Sequence, residues 1–151
     1  PGRSAANNLT RFYVVTIGGD EVVVDRATGL MWVRDWTEAD IHNGGTPYFG
    51  DGTANSWEYA IQNTAAKSFA GFSDWRLANI NEMLSLQDWE AGEIITNIFT
   101  NYQSGRPNWT STSGIPPFYA FAVSYYGYDI RLTNKTDDYP FLACRDTSLC
   151  L

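Results

Sequence analysis

The chain of 151 residues contains one histidine, His42, and two cysteines, Cys144 and Cys150. A lone imidazole remote from any motif leaves a Ser-His-Asp or Cys-His arrangement nothing to be built on. It also argues against zinc, because both thiols sit together near the end of the chain. Basic residues are scarce: ten Lys and Arg stand against seventeen Asp and Glu, a net charge of −7. Nucleic acid and anionic membranes each call for a basic face, so neither is an expected partner. No apolar run is long enough to span a bilayer, so membrane insertion is not expected either. No signal segment opens the chain, and its first residue is Pro1. It therefore reads as part of a longer protein.

What is abundant is aromatic: 15% of the residues, with six Trp and nine Tyr. Such rings serve cores and rigid contact surfaces alike, so the richness alone chooses neither. The length suits one domain, over residues 11–151, after a polar linker or terminus at 1–10.

The organising stretch is Ser56 to Leu86. Asn55 with Glu58, and Asn79 with Glu82, repeat the capping-box spacing ahead of two runs with helical periodicity. Gly71 is placed to stop the first helix. A third short helix is expected over Glu90 to Phe99. Arg11 to Ile17 and Glu21 to Asp25 read as a hairpin, and Leu30 to Val33 as a short apolar strand. Trp36 to Asn55, rich in Gly, is a long irregular loop. Ala120 to Tyr126 alternates, with Phe121, Val123 and Tyr125 expected inside, and pairs with Ile130 to Thr133; Phe141 to Arg145 is the last strand. Helices in the middle and strands at both ends predict α+β, with one twisted antiparallel sheet made by the two ends of the chain.

Several groups read as structural. Asp25 with Thr28 and Gly29 spells a side-chain-capped turn. Asp74-Trp75-Arg76 spells a buried Trp corner locked by an Arg–carboxylate pair. Cys144 and Cys150 either close a short loop, which would imply an oxidising compartment, or are two free thiols. Oxygen ligands of the kind calcium takes occur at Asp40, Asn43, Asp51 and Asn55, and again at Asp129, Asp137 and Asp138. Carboxylates are plentiful, but nothing singles out an acid and a base for glycan hydrolysis, so that reading stays remote and no enzyme is expected. Three Asn-x-Thr triplets, at Asn8, Asn108 and Asn134, fit the glycan acceptor pattern.

Four motifs in order, Asp25-Arg26-Ala27-Thr28-Gly29-Leu30-Met31-Trp32, Ser56-Trp57-Glu58-x-Ala60, Gly71-Phe72-Ser73-Asp74-Trp75-Arg76-Leu77 and Glu82-Met83-x-x-Leu86, resemble the Lcl C-terminal domain family. Trp109-Thr110-Ser111-Thr112 and Cys144-Arg145 continue the likeness, which runs from about Asp25 to Arg145. The resemblance implies a C-type lectin-like fold with two to three helices. It also implies a binding module, often an adhesive tip, on a secreted or cell-surface bacterial or phage protein. Where the family has Pro after Asp-Trp-Arg-Leu, this chain has Ala78. Where the family often has a first-helix Cys, it reads Ile61-Gln62-Asn63-Thr64, so the resemblance implies that Cys144 pairs with Cys150. Basic members are associated with sulfated polysaccharides, from which this acidic chain departs.

In folds of that kind the ligand face comes from the C-terminal half. The candidate ligand residues are Tyr119, Tyr126, Tyr128, Asp129, Asn134 and Tyr139, with Asp129, Asp137 and Asp138 as the candidate calcium group. Tyrosine with short polar residues suits recognition of a carbohydrate or short peptide on a cell or host surface. The same composition suits a receptor for protein ligands diversified by a retroelement at adenine-containing codons.

Overall fold

The computed structural model describes residues 11–37, 41, 56–88, 93–94, 98–101, 106–124 and 129–147. Strands β1 (Phe12–Ile17), β2 (Asp20–Asp25) and β3 (Leu30–Val33) form a meander. Helix α1 (Trp57–Ala66), β4 (Arg76–Leu77), α2 (Ile80–Ser85), β5 (Gln87–Asp88) and β6 (Glu93–Ile94) follow. Then come β7 (Asn108–Ser113), β8 (Tyr119–Ser124), β9 (Asp129–Asn134) and β10 (Ala143–Asp146). The strands make a five-stranded sheet in the order β1-β2-β3-β10-β4, a three-stranded sheet β7-β8-β9, and the ribbon β5-β6.

This corrects the expected α+β, C-type lectin-like fold with two to three helices. The described residues are mostly β, in two principal antiparallel sheets with only two helices, ten and six residues long. The stretch read as a third helix places Glu93–Ile94 in a strand paired with Gln87–Asp88. Its apolar residues fit either period, and isoleucine's branched Cβ favours the extended one. The first helix is also shorter than expected, ending at Ala66, and its N-cap is Ser56, whose Oγ accepts from Tyr59 N–H. Gly71 closes no helix. With Ala70 it forms a two-residue turn, both at positive φ, between Phe69 and Phe72, which exchange backbone hydrogen bonds. Two consecutive left-handed residues are what the tight hairpin turn demands, and glycine supplies one without strain.

The union of the chain ends in one sheet is as expected, since β10 pairs with β3 on one side and β4 on the other. That sheet is buried on both faces at its middle, where β3 is apolar at every position and Val22, Val23 and Val24 of β2 and Ala143 and Cys144 of β10 flank it. Val23, Leu30, Trp32 and Cys144 pack on one side with Met83 and Leu86 of the α2 region and Val123 of β8. Val22, Val24, Met31, Val33 and Ala143 pack on the other with Phe69 and Trp75. A third cluster, Trp109, Ala120, Ala122 and Phe141 with Ala60 and Leu77, joins the second sheet to α1.

The α2 cap is as expected. Asn79 Oδ1 accepts from Glu82 N–H at 3.0 Å, and Glu82 Oε2 accepts from Asn79 N–H at 2.7 Å. Glu82 also holds Arg76 at 2.7 and 2.8 Å. Asn79→Ala is expected to lower the unfolding free energy by about 1 kcal/mol, read as a lower urea midpoint at unchanged slope. No change in midpoint would mean the cap is idle.

Candidate functional site

The surface that the structure assembles is the end of the second sheet where β7 turns into β8 and β9 leaves. Tyr119 lies directly opposite Asn134, and Phe121 opposite Leu132, so these four share one face. The connecting loop runs Gly114-Ile115-Pro116-Pro117-Phe118 and ends with Tyr119 N–H donating to Pro116 O at 3.0 Å. Two prolines have few conformations to lose, so the loop holds its apolar side chains outward at small entropic cost. Ile115 is 91% exposed and Phe118 53%. The Phe118 and Tyr119 rings lie 4.7 Å apart.

The turn after β9 is fixed to α1. Trp57 donates its backbone N–H to Lys135 O at 3.0 Å and its indole N–H to Thr110 O at 2.8 Å. Lys135 Nζ sits 3.9 Å from the Trp57 ring centroid and donates to Ser113 Oγ at 2.9 Å. Asn134 Oδ1 accepts from Thr136 N–H and Oγ1, holding the turn. The result is a tip with two apolar prongs, Ile115 and Phe118, beside the half-buried Tyr119 ring and the exposed Asn134 amide. It can hold a ligand by ring stacking and short polar contacts.

Of the residues the sequence proposed, Tyr119 and Asn134 belong to this tip. Tyr139 does not: it is half-buried, its ring 4.9 Å from that of Trp109 in a T-shaped contact. Asp129 lies at the opposite end of β9, bonded to Arg131. Asp137 accepts from Thr133 Oγ1 and from Asn134 N–H. Five strand steps separate Asp129 from the turn, about 17 Å, so the candidate calcium group Asp129, Asp137 and Asp138 is not brought together. Among the described residues no group of three or more His, Cys, Asp or Glu could hold a metal. Tyr126, Tyr128 and Cys150 lie outside the described residues, as do Asp40, His42, Asn43, Asp51 and Asn55. Cys144 is a free, fully buried thiol on β10, and burial raises its pKa well above the ordinary range.

Phe121 was expected inside, and it is only half-buried. Ala120 and Ala122, on the opposite face, are fully buried. Small side chains let the strand approach Trp109 and Phe141 closely. Trp109 is in the core, with no exposure.

The remaining ionic groups are structural, as their motifs suggested. Trp75 is buried and donates its indole N–H to Phe69 O at 2.9 Å. Asp74 accepts two bonds from Arg145, at 2.6 and 3.0 Å, and these hold its carboxyl below the usual range. Burial works to raise the Glu82 pKa, but bonds from Arg76 and Asn79 N–H outweigh it and keep the carboxyl ionised. A cavity of about 410 Å³ is lined by Tyr13, Val24, Asp25, Arg26, Gly29, Met31 and Thr147, none of them a residue of the tip. A carboxylate held ionised cannot act as a general acid, and a thiol kept protonated is a poor nucleophile.

Ile115, Trp57 and Lys135 were not among the residues the sequence proposed. The pair Pro116-Pro117 was the available signal, since a constrained loop bounded by large apolar residues can only point them outward or bury them together. Among the described residues no helix is long and apolar enough to cross a membrane. A comparison with curated proteins returned no match. The profile of the Lcl C-terminal domain family matches residues 21–145, which takes in every principal strand from β2 to β10 and both helices, and the chain belongs to that family.

Proposed function

We propose that the chain is a non-catalytic, adhesin-type binding module of a larger exported bacterial or phage protein. Its ligand is a carbohydrate or a short peptide on a cell or host surface. Family membership supports a module of this kind, and one observation carries the choice of surface: large apolar side chains held outward beside Tyr119 and Asn134. Monomeric domains seldom leave such residues clustered in the open unless they meet something. An aromatic face suits the apolar side of a sugar ring or a peptide side chain, and a neighbouring amide supplies direction.

The test is a glycan and peptide array probed with the whole chain, with and without a chelator, alongside the variant Tyr119→Ala/Asn134→Ala. A hit is expected whose affinity falls about tenfold or more in the variant, while the circular dichroism spectrum stays unchanged. Loss of binding on chelation would add calcium to the reading. Turnover of the bound glycan, or binding indifferent to both substitutions, would overturn it.

A further inference from the structure

Among the described residues no strand lies along the outer side of β9, and the register fixes which backbone groups point there. Tyr119 O accepts from Gly114 N–H at 2.8 Å, and Phe121 O from Thr110 Oγ1 at 2.8 Å, so the odd positions of β8 address β7. Phe118 O accepts from Lys135 N–H at 2.9 Å, so the even positions address β9. With Phe121 opposite Leu132, the residues that bond β8 are Asp129, Arg131 and Thr133. Ile130, Leu132 and Asn134 therefore turn their N–H and C=O groups outward. Asn134 closes its own: its N–H donates to Asp137 Oδ2 and its O accepts from Asp137 N–H. Ile130 and Leu132 are left with an open edge, and their side chains are 47% and 46% exposed. Proteins usually blunt such an edge, because it templates another strand.

We propose that this edge pairs with the same edge of a second copy, antiparallel, about a twofold axis at Arg131. The sequence Ile130-Arg131-Leu132 has the same pattern read in either direction. Antiparallel pairing sets Ile130 opposite Leu132 of the second copy and Leu132 opposite its Ile130. Every open N–H and C=O of the two residues then finds a partner, and four exposed aliphatic side chains meet on one face. On the other face Arg131 meets Arg131 of the second copy. Each arrives already bonded to its own Asp129, with the other copy's Asp129 on the diagonal. Charges alternate across the axis, so a chain with a net charge of −7 can approach itself at a locally balanced patch. An unrelated peptide strand would not return that pairing. A twofold interface is self-complementary by construction, and this strand is.

Because the contact is short, the association is weak and transient. Sedimentation velocity of the whole chain from about 10 μM to about 1 mM is expected to show a monomer passing to a dimer, a range typical of small interfaces. Leu132→Pro removes an outward N–H without touching the β8 ladder, since an edge strand tolerates proline there. It is expected to raise the dissociation constant about tenfold or more. Leu132→Lys, which changes an exposed side chain only, is expected to do the same. Ile115→Ser, on the β7–β8 loop and outside the edge strand, is expected to leave association unchanged. A sample monomeric at the highest concentration overturns the proposal, as does association that survives both Leu132 substitutions or falls with Ile115→Ser. A monomer that still binds its ligand sinks this pairing alone, and a dimer without a ligand sinks only the binding reading.

Discussion

Asp25→Ala is expected to lower the unfolding free energy at neutral pH by about 3–5 kcal/mol, the cost of breaking a buried ion pair from one side. The Asp25 side chain has no exposure and satisfies three groups besides itself. Its oxygens accept from Arg11 Nε at 2.7 Å and Nη2 at 2.5 Å, from Ala27 N–H at 2.9 Å and from Thr28 Oγ1 at 2.7 Å. Arg11 in turn donates to Ser85 O at 3.0 Å, the last residue of α2. One carboxylate therefore ties the β2–β3 turn to the end of a helix, where a cation is already favoured. Truncation leaves the Arg11 guanidinium, with its side chain 10% exposed, without its counter-charge.

The pH dependence follows from the direction of the shift. Burial pushes the Asp25 carboxyl up, but the bonds from Arg11, Thr28 and Ala27 outweigh it, and the folded-state pKa lies below the ordinary value. A depressed folded pKa contributes stability that is present above the unfolded pKa, about 3.9, and is lost as pH falls through the folded value. The gap between the parent chain and Asp25→Ala, measured by urea unfolding, is thus widest near pH 7 and narrows below about pH 4. A gap under about 1 kcal/mol, or one that is constant with pH, would show that the pair is no better than a surface contact.

That turn was legible in the sequence because everything it needs lies within five residues. Asp25, Thr28 and Gly29 specify their own conformation through local hydrogen bonds. Asn79 with Glu82 was legible for the same reason, and Asp74-Trp75-Arg76 nearly so. Its lock turned out to be two pairs, Asp74 with Arg145 and Arg76 with Glu82, and the first partner is 71 residues away. Where the answer depended on what lay across the core, local reading failed. Alternation marked Ala120 to Tyr126 as a strand but did not settle which face was inner. Size suggested the face of Phe121 and Val123, of which Val123 is buried and Phe121 only half so. The close approach of Trp109 buries the alanines on the other face as well. Apolar residues at 90–99 satisfied both periods, and the adjacent Gln87–Asp88, which pairs with Glu93–Ile94, decided for the strand there.

The candidate site was half legible for a related reason. Tyr119 and Asn134 stood out as recognition-type residues, and the register sets them opposite one another. Ile115 did not, because apolar side chains are counted toward the core until a structure shows them outside. The aspartates misled in the opposite sense. Asp129 and Asp137 look like neighbours in a polar stretch, yet a strand holds them apart, and each bonds a side chain of β9, Asp129 that of Arg131 and Asp137 that of Thr133. Proximity in sequence becomes convergence in space only where the chain turns.

Trp109→Ala is expected to cost about 3–5 kcal/mol and, unlike Asp25→Ala, to damage the tip as well as the fold. Trp109 has no exposure and sits where three elements meet. Its strand pairs with Ala122, its N–H donates to Pro140 O at 2.8 Å, and its ring supports Tyr139. The cluster around it also holds Phe141 and Ala60, with Trp57 packed at its rim. The ring thereby props the sheet whose far end carries Tyr119 and Asn134 against the helix whose first residue holds Lys135. Removing it leaves a cavity that alanine neighbours at 120 and 122 cannot refill, because they have no side chain to lend. Trp109→Phe keeps most of the volume and is expected to cost well under half as much. If the alanine variant unfolds at the parent midpoint in urea, the second sheet is held by something other than this ring. If it is destabilised but binds the array hit unchanged, the tip is independent of its support, and recognition must lie elsewhere on the molecule.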